Sequence, residues 1–188
     1  MIVLLLDMAA DKIPPWLPLS DSLGQSSGLQ GVSLYSIDPV QSVIEAQHDA
    51  LAGLSSDFSL RVLIPFLTRL EEYDYWLSLI RKRLPGLPVG AMAETPSIVL
   101  DIGRLRDHAD FVAIGCNDLL QGLYAADRDP GVRVLDCMMA IPGVLELISS
   151  QVIILNSVET EGGPLFLYNC IPSRQGLDQR TFKFTARK

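Results

Sequence analysis

Two acidic residues, Glu94 and Asp118, stand where apolar runs end. Glu94 follows the run Val89–Ala93 and precedes Thr95 and Pro96. Asp118 follows the run 110–116 and Asn117. Two carboxylates at adjacent strand ends suit one Mg²⁺. That ion takes few protein oxygens, keeps waters, and leaves positions for a substrate carboxylate or phosphate. On spacing alone a plainer reading has the better claim, namely that each acid caps the helix after it.

The elements that must position these acids are legible as alternating patterns. Residues 2–6 form a run of buried-strand type, and residues 11–31 a long loop rich in Pro, Ser and Gly. Val40–Leu54 has the spacing of an amphipathic helix, and residues 61–67 read as a strand. The stretch 67–84 is a helix whose last turn carries Arg81, Lys82 and Arg83, which suits a helix C-terminus and reads as a solvated end, not a phosphate site. Thr95 is the expected N-cap after Val89–Ala93, with Pro96 at the first helical position. Residues 110–116 are the next strand, with Asn117 or Asp118 opening the following helix, and 140–149 a later one. Apolar strands alternating with helices predict a parallel sheet covered by helices, with the site at the carboxyl ends of the strands. Glu94 and Asp118 both fall at such ends.

Composition narrows the function. The chain has 188 residues, 48% hydrophobic and 20% charged, enough for one domain with a substantial core. A net charge of −7 disfavours nucleic acid as a partner, because phosphate neutralisation needs a basic surface. No window nears ~18 uninterrupted apolar residues, so no membrane span is expected. Residues 1–12 lack the basic start of a signal peptide, and Asp7 cuts their apolar run. Cys116, Cys137 and Cys170 lack zinc-type pairing and read as reduced thiols of a cytoplasmic protein. His48 and His108 read as surface residues without catalytic partners.

Longer stretches carry a family likeness. Ala93-Glu94-Thr95-Pro96, Ile114-Gly115-Cys116-Asn117-Asp118-Leu119 and Ala126-Asp127-Arg128 resemble signature segments of the phosphoenolpyruvate-utilising enzymes. The likeness is strongest to the C-terminal domain of enzyme I, the phosphoenolpyruvate-protein phosphotransferase of the sugar phosphotransferase system. "LRVLIPFL", "AQHDALAGLSSDFS" and "LLLDMAADKIPPWLP" extend it, so that roughly residues 1–148 are covered. The resemblance implies a (β/α)₈ barrel that binds phosphoenolpyruvate and Mg²⁺ at its strand ends. Carried over residue by residue, it makes Glu94 and Asp118 metal ligands, Asn117 a substrate contact, and Arg128 the neutraliser of the phosphate. A transferring phosphate needs such cationic clamps and Mg²⁺ on its oxygens.

The departures are equally specific. Leu4 stands where the resemblance places an arginine, and Ser33 and Ser36 stand where it places a second. Neither leucine nor serine holds a phosphate dianion as a guanidinium does. The family's later Cys-Gly-Glu strand is not recognisable, and Cys170 lacks the Gly-Glu that would follow it. No phosphorylatable-histidine segment is evident.

The expected architecture is thus an incomplete (β/α)₈ TIM-type barrel in residues 1–150, with a divergent C-terminal segment, 151–188, that covers a sheet edge. Unpaired strand edges also favour a homodimer. Three functional readings stand side by side. The first is an enzyme I-like domain binding phosphoenolpyruvate or a pyruvate-like molecule, associated with phosphotransferase-system proteins, its own phosphotransfer impaired or lost. The second is a Mg²⁺-dependent lyase or aldolase acting on pyruvate or oxaloacetate. The third is a non-catalytic interaction module.

Overall fold

The computed structural model describes residues 1–8, 14, 16–17, 30–125, 146–147, 150 and 166–168. The elements run β1 (Ile2–Leu4), a 3-10 turn (Gly31–Leu34), α1 (Val40–Leu54), β2 (Arg61–Ile64), α2 (Leu70–Arg83), β3 (Val89–Ala93), α3 (Pro96–Leu100), α4 (Ile102–His108), β4 (Phe111–Gly115), α5 (Cys116–Tyr124) and β5 (Phe166–Tyr168). The five strands form one sheet in the order β1-β2-β3-β4-β5, and every neighbouring pair is parallel. Each crossover moves one strand along the sheet, so all carboxyl ends lie on one rim. A parallel α/β sheet is what these strands show. Among the described residues it is an open row bounded by β1 and β5, not a closed barrel.

Burial explains why the strands read as apolar runs. Every residue of β3 and β4 is buried, because both flanks and both faces are covered. One face packs Val62, Ile64, Ala91, Val112 and Ile114 against helix residues such as Ile44, Tyr73, Ile80 and Leu119. The other carries a smaller cluster of Leu63, Met92, Phe111 and Ala113. The Tyr73 hydroxyl donates to the Val89 carbonyl at 2.8 Å, pinning α2 to the start of β3. The edge strand β1 is less covered, and Leu4 is 39% exposed.

α1 corrects one expectation. Val40, Ile44, His48 and Leu51 are its buried residues, so His48 lies on the core stripe and is only 4% exposed. Its spacing of four from Ile44 and three from Leu51 is the helical repeat of a buried face. His108 does lie at the surface, at the end of α4, with Nδ1 2.9 Å from Asp74 Oδ1. The basic end of α2 is solvated as expected: Arg81 pairs with Asp110 at 3.3 Å, and Arg83 with Asp49 at 3.7 Å.

Element ends shift for local reasons. β2 stops at Ile64, short of residue 67, because Pro65 has no N–H to donate and Phe66 turns to φ +49°. α2 begins at Leu70, where Glu72 accepts the backbone N–H groups of Thr68 and Arg69 at 2.8 and 3.2 Å. Thr95 is the N-cap of α3, its Oγ1 accepting from the Ile98 N–H, with Pro96 behind it as expected.

The reduced-thiol reading is overturned at Cys116, which is disulfide-bonded. It is the one cysteine among the described residues. The expected helix at 140–149 and the edge-covering segment 151–188 fall largely outside the described residues. Of the latter, Phe166–Tyr168 is described, as β5 alongside β4. No described helix is long and apolar enough to cross a membrane.

Candidate functional site

The site is built on the carboxyl ends of β2, β3 and β4. Glu94 follows the last residue of β3 and is 1% exposed. A buried carboxylate needs fixed donors. One is the backbone N–H of Phe66, which donates to Glu94 Oε1 at 2.7 Å. That geometry accounts for the left-handed backbone of Phe66, an uncommon state for a bulky residue, which swings the amide toward the neighbouring strand. Gly31, itself at φ +52°, lies so close that a Cβ there would meet Phe66 Cβ at 2.5 Å. The turn after β2 is therefore held from both sides.

β4 ends against the same carboxylate. A Cβ added to Gly115 would lie 2.7 Å from Glu94 Oε2, closer than real carbons approach. Glycine is what lets the Glu94 side chain lie over the end of β4. α5 starts at the next residue, with Asp118 in its first turn, where the helix dipole favours negative charge. Asn117 and Asp118 are both partly exposed. Gln30, just before the 3-10 turn, donates from Nε2 to Asp118 Oδ1 at 3.4 Å. Against the side of α5, a Cβ on Gly122 would meet Pro96 Cδ at 2.8 Å, so the Glu94-Thr95-Pro96 segment and α5 are in close contact. Thr95 ties this segment back to β2's turn, donating from Oγ1 to the Leu67 carbonyl at 2.6 Å.

Tyr35 closes the inner side. Its hydroxyl donates to the Leu6 carbonyl at 2.7 Å. Burial pushes its pKa well above the ordinary tyrosine value, and the Asp7 and Glu94 carboxylates push it further, so the phenol stays a neutral donor.

Glu94, Asn117 and Asp118 thus occupy the carboxyl ends of the adjacent strands β3 and β4. Arg128, the remaining residue assigned to the substrate, lies outside the described residues. Among the described residues no three histidine, cysteine, aspartate or glutamate side chains gather as a metal site. Two oxygen donors at one rim fit the demand of Mg²⁺, which completes its octahedron with waters and ligand oxygens, better than that of a metal needing a full protein cage. The three residues that stand in place of arginines, Leu4, Ser33 and Ser36, are exposed. Ser33 has taken a local task, accepting the Gln30 N–H at 2.9 Å and donating to the Gln30 carbonyl at 2.7 Å.

The sequence reading missed Gln30, the Phe66 amide and Tyr35. The Pro65 that ends β2 and the Gly31 beside it were the available signals for the first two. Tyr35 had no signal, since its role depends on a contact with Leu6, 29 residues away in the chain.

Known proteins share much of this sequence. The family described as "PEP-utilising enzyme, PEP-binding domain" matches residues 1–161. The chain is 30% identical over 135 residues to the phosphoenolpyruvate-dependent phosphotransferase system protein of Escherichia coli K12, covering 66% of this chain and 18% of that protein. It is 32% identical over 158 residues to a multiphosphoryl transfer protein of Xanthomonas campestris, covering 81% of this chain and 19% of the relative. A phosphoenolpyruvate-protein phosphotransferase of Borreliella burgdorferi is 32% identical over 134 residues, covering 65% of this chain and 23% of its own length. The chain therefore spans about a fifth of the length of these relatives. By the extent of the family match, this chain belongs to the phosphoenolpyruvate-utilising enzymes, in their phosphoenolpyruvate-binding domain.

Proposed function

We propose that this chain binds phosphoenolpyruvate, or a pyruvate-like acid, with Mg²⁺ at the carboxyl ends of β3 and β4. The observation that carries this reading is the buried Glu94 carboxylate, fixed by the Phe66 amide and lying against Gly115, one helical turn from Asp118. A carboxylate held this way by a left-handed backbone is an expensive arrangement for a mere cap. Glu94 and Asp118 would hold the ion, which neutralises charge on phosphate and carboxylate oxygens. Asn117, beside Asp118 and partly exposed, would orient the ligand, and Arg128 would neutralise its phosphate.

Phosphotransfer by the chain alone is impaired in this proposal. Leu4, Ser33 and Ser36 give no cation to the developing phosphate charge. Loss of a single such contact can cost ~10²–10³ in rate. The edge strand β1, with exposed Met1 and Leu4, further favours a homodimer burying at least ~1,000 Å². Phosphotransferase-system proteins are the natural partners on this reading.

Titration calorimetry tests it. Phosphoenolpyruvate should bind in the presence of Mg²⁺ and lose about tenfold or more in affinity when Glu94→Gln or Asp118→Asn removes one charged ligand. Absence of binding with Mg²⁺ at millimolar phosphoenolpyruvate would sink the reading.

A further inference from the structure

A cavity lies between α1 and α2, with Tyr35 and Ser36 also in its lining. Its volume is about 480 Å³, within the range of small-molecule sites. Trp76 and Tyr75 line it with their rings edge to face, centroids 5.2 Å apart and planes at 82°, and Ile44 lines it as well. Lys82 and Arg83 stand in the same lining, and His48 is part of it. The imidazole is 4% exposed, and its buried Nε2 has no hydrogen-bond partner among the described residues. Burial, reinforced by Arg83, lowers the His48 pKa, so the ring is a neutral hydrogen-bonding group.

We propose that this groove is a binding site for a small planar aromatic carboxylate carrying a ring hydroxyl or N–H. The perpendicular pair can receive a flat ring by face and by edge. Lys82 and Arg83 suit its carboxylate. Glu45 and Asp49 engage Arg83 only through exposed contacts at 4.0 and 3.7 Å, and pairs of that kind yield readily to an incoming anion. The ring polar group answers the unpartnered His48 Nε2, which a buried site otherwise leaves at a cost. The adjustment this needs is rotation about the terminal torsion of histidine, which is broad.

Calorimetry on the full chain with 4-hydroxybenzoate, benzoate and 4-hydroxybenzamide decides the matter. 4-Hydroxybenzoate should bind most tightly, and the uncharged amide about tenfold more weakly. The double variant Lys82→Gln/Arg83→Gln should show a loss of about the same size. His48→Leu should erase the preference for 4-hydroxybenzoate over benzoate, which a change in packing alone would not do. Glu94→Gln should leave 4-hydroxybenzoate binding intact, separating this groove from the strand-end site. No binding of 4-hydroxybenzoate at millimolar concentration, or binding that survives the Lys82/Arg83 double variant, overturns the proposal. Should His48→Leu fail to fold, the amide and the double variant decide it alone.

Discussion

The rim of the sheet differs from one end to the other. At β3 and β4 every strand residue is buried, and the acid that follows β3 is fixed by a backbone amide. At β1 the strand is short and at the sheet edge, and its last residue, Leu4, is 39% exposed. The interior strands keep the charged residues that the family resemblance assigns to the site. The edge has an apolar residue where the same resemblance places an arginine. The difference shows which parts of a site a fold itself protects. Glu94 sits in a web of close approaches from Gly115, Phe66 and Thr95, so replacing any of these disturbs the core. Leu4 and Ser36 are exposed, and there a charge can be lost with little effect on folding.

Three substitutions test this contrast. The largest effect is expected at Gly115→Val, where even the first carbon of the new side chain would lie 2.7 Å from Glu94. Urea unfolding should show a loss of about 3 kcal/mol, the upper end of overpacking costs, together with loss of phosphoenolpyruvate affinity. A stable, binding Gly115→Val would mean that the interior end is not as rigidly determined as its packing indicates.

The exposed end should behave in the opposite way. Leu4→Arg should leave stability within about 0.5 kcal/mol, as surface changes do. It should tighten phosphoenolpyruvate binding about tenfold by restoring a charge-assisted contact. Calorimetry on this variant decides whether β1 faces the same ligand as β3 and β4. Unchanged affinity would break the comparison, because the two ends would then not serve one site.

The smallest effect concerns the turn between β2 and α2. Burial pushes the Glu72 carboxyl up, but hydrogen bonds from Thr68 and Arg69 outweigh it and hold the pKa below its ordinary 4.5. A folded-state pKa below the unfolded one means the contribution is complete above the unfolded value and lost as pH falls through the folded one. Glu72→Gln should therefore cost about 1 kcal/mol at neutral pH, as lost caps do, and nothing once the wild-type carboxyl is protonated. Urea melts of both proteins across the acid range check this. A constant difference at all pH values would show that Glu72 acts by packing rather than by charge.

What the sequence determined by itself is local. Alternating apolar runs and helical stripes set the parallel α/β order, and the bounds of α1 and β3 coincide with those read from the residues. Thr95-Pro96 announced its cap because capping depends on adjacent residues. The strand-end acids were visible because parallel sheets put their sites at carboxyl ends. Only tertiary structure decided what those acids touch. That Phe66 would turn left-handed and offer its amide to Glu94 depends on two strands being neighbours. That His48 would be buried depends on α2 covering α1. Gln30 reaches Asp118 across 88 residues of chain. The disulfide at Cys116 is of the same kind, since cysteine spacing says nothing of which thiols meet in space. Hydrophobic periodicity and capping act over a few residues and are written in the chain. Hydrogen bonds and close packing between distant segments exist only after the strands have taken their places.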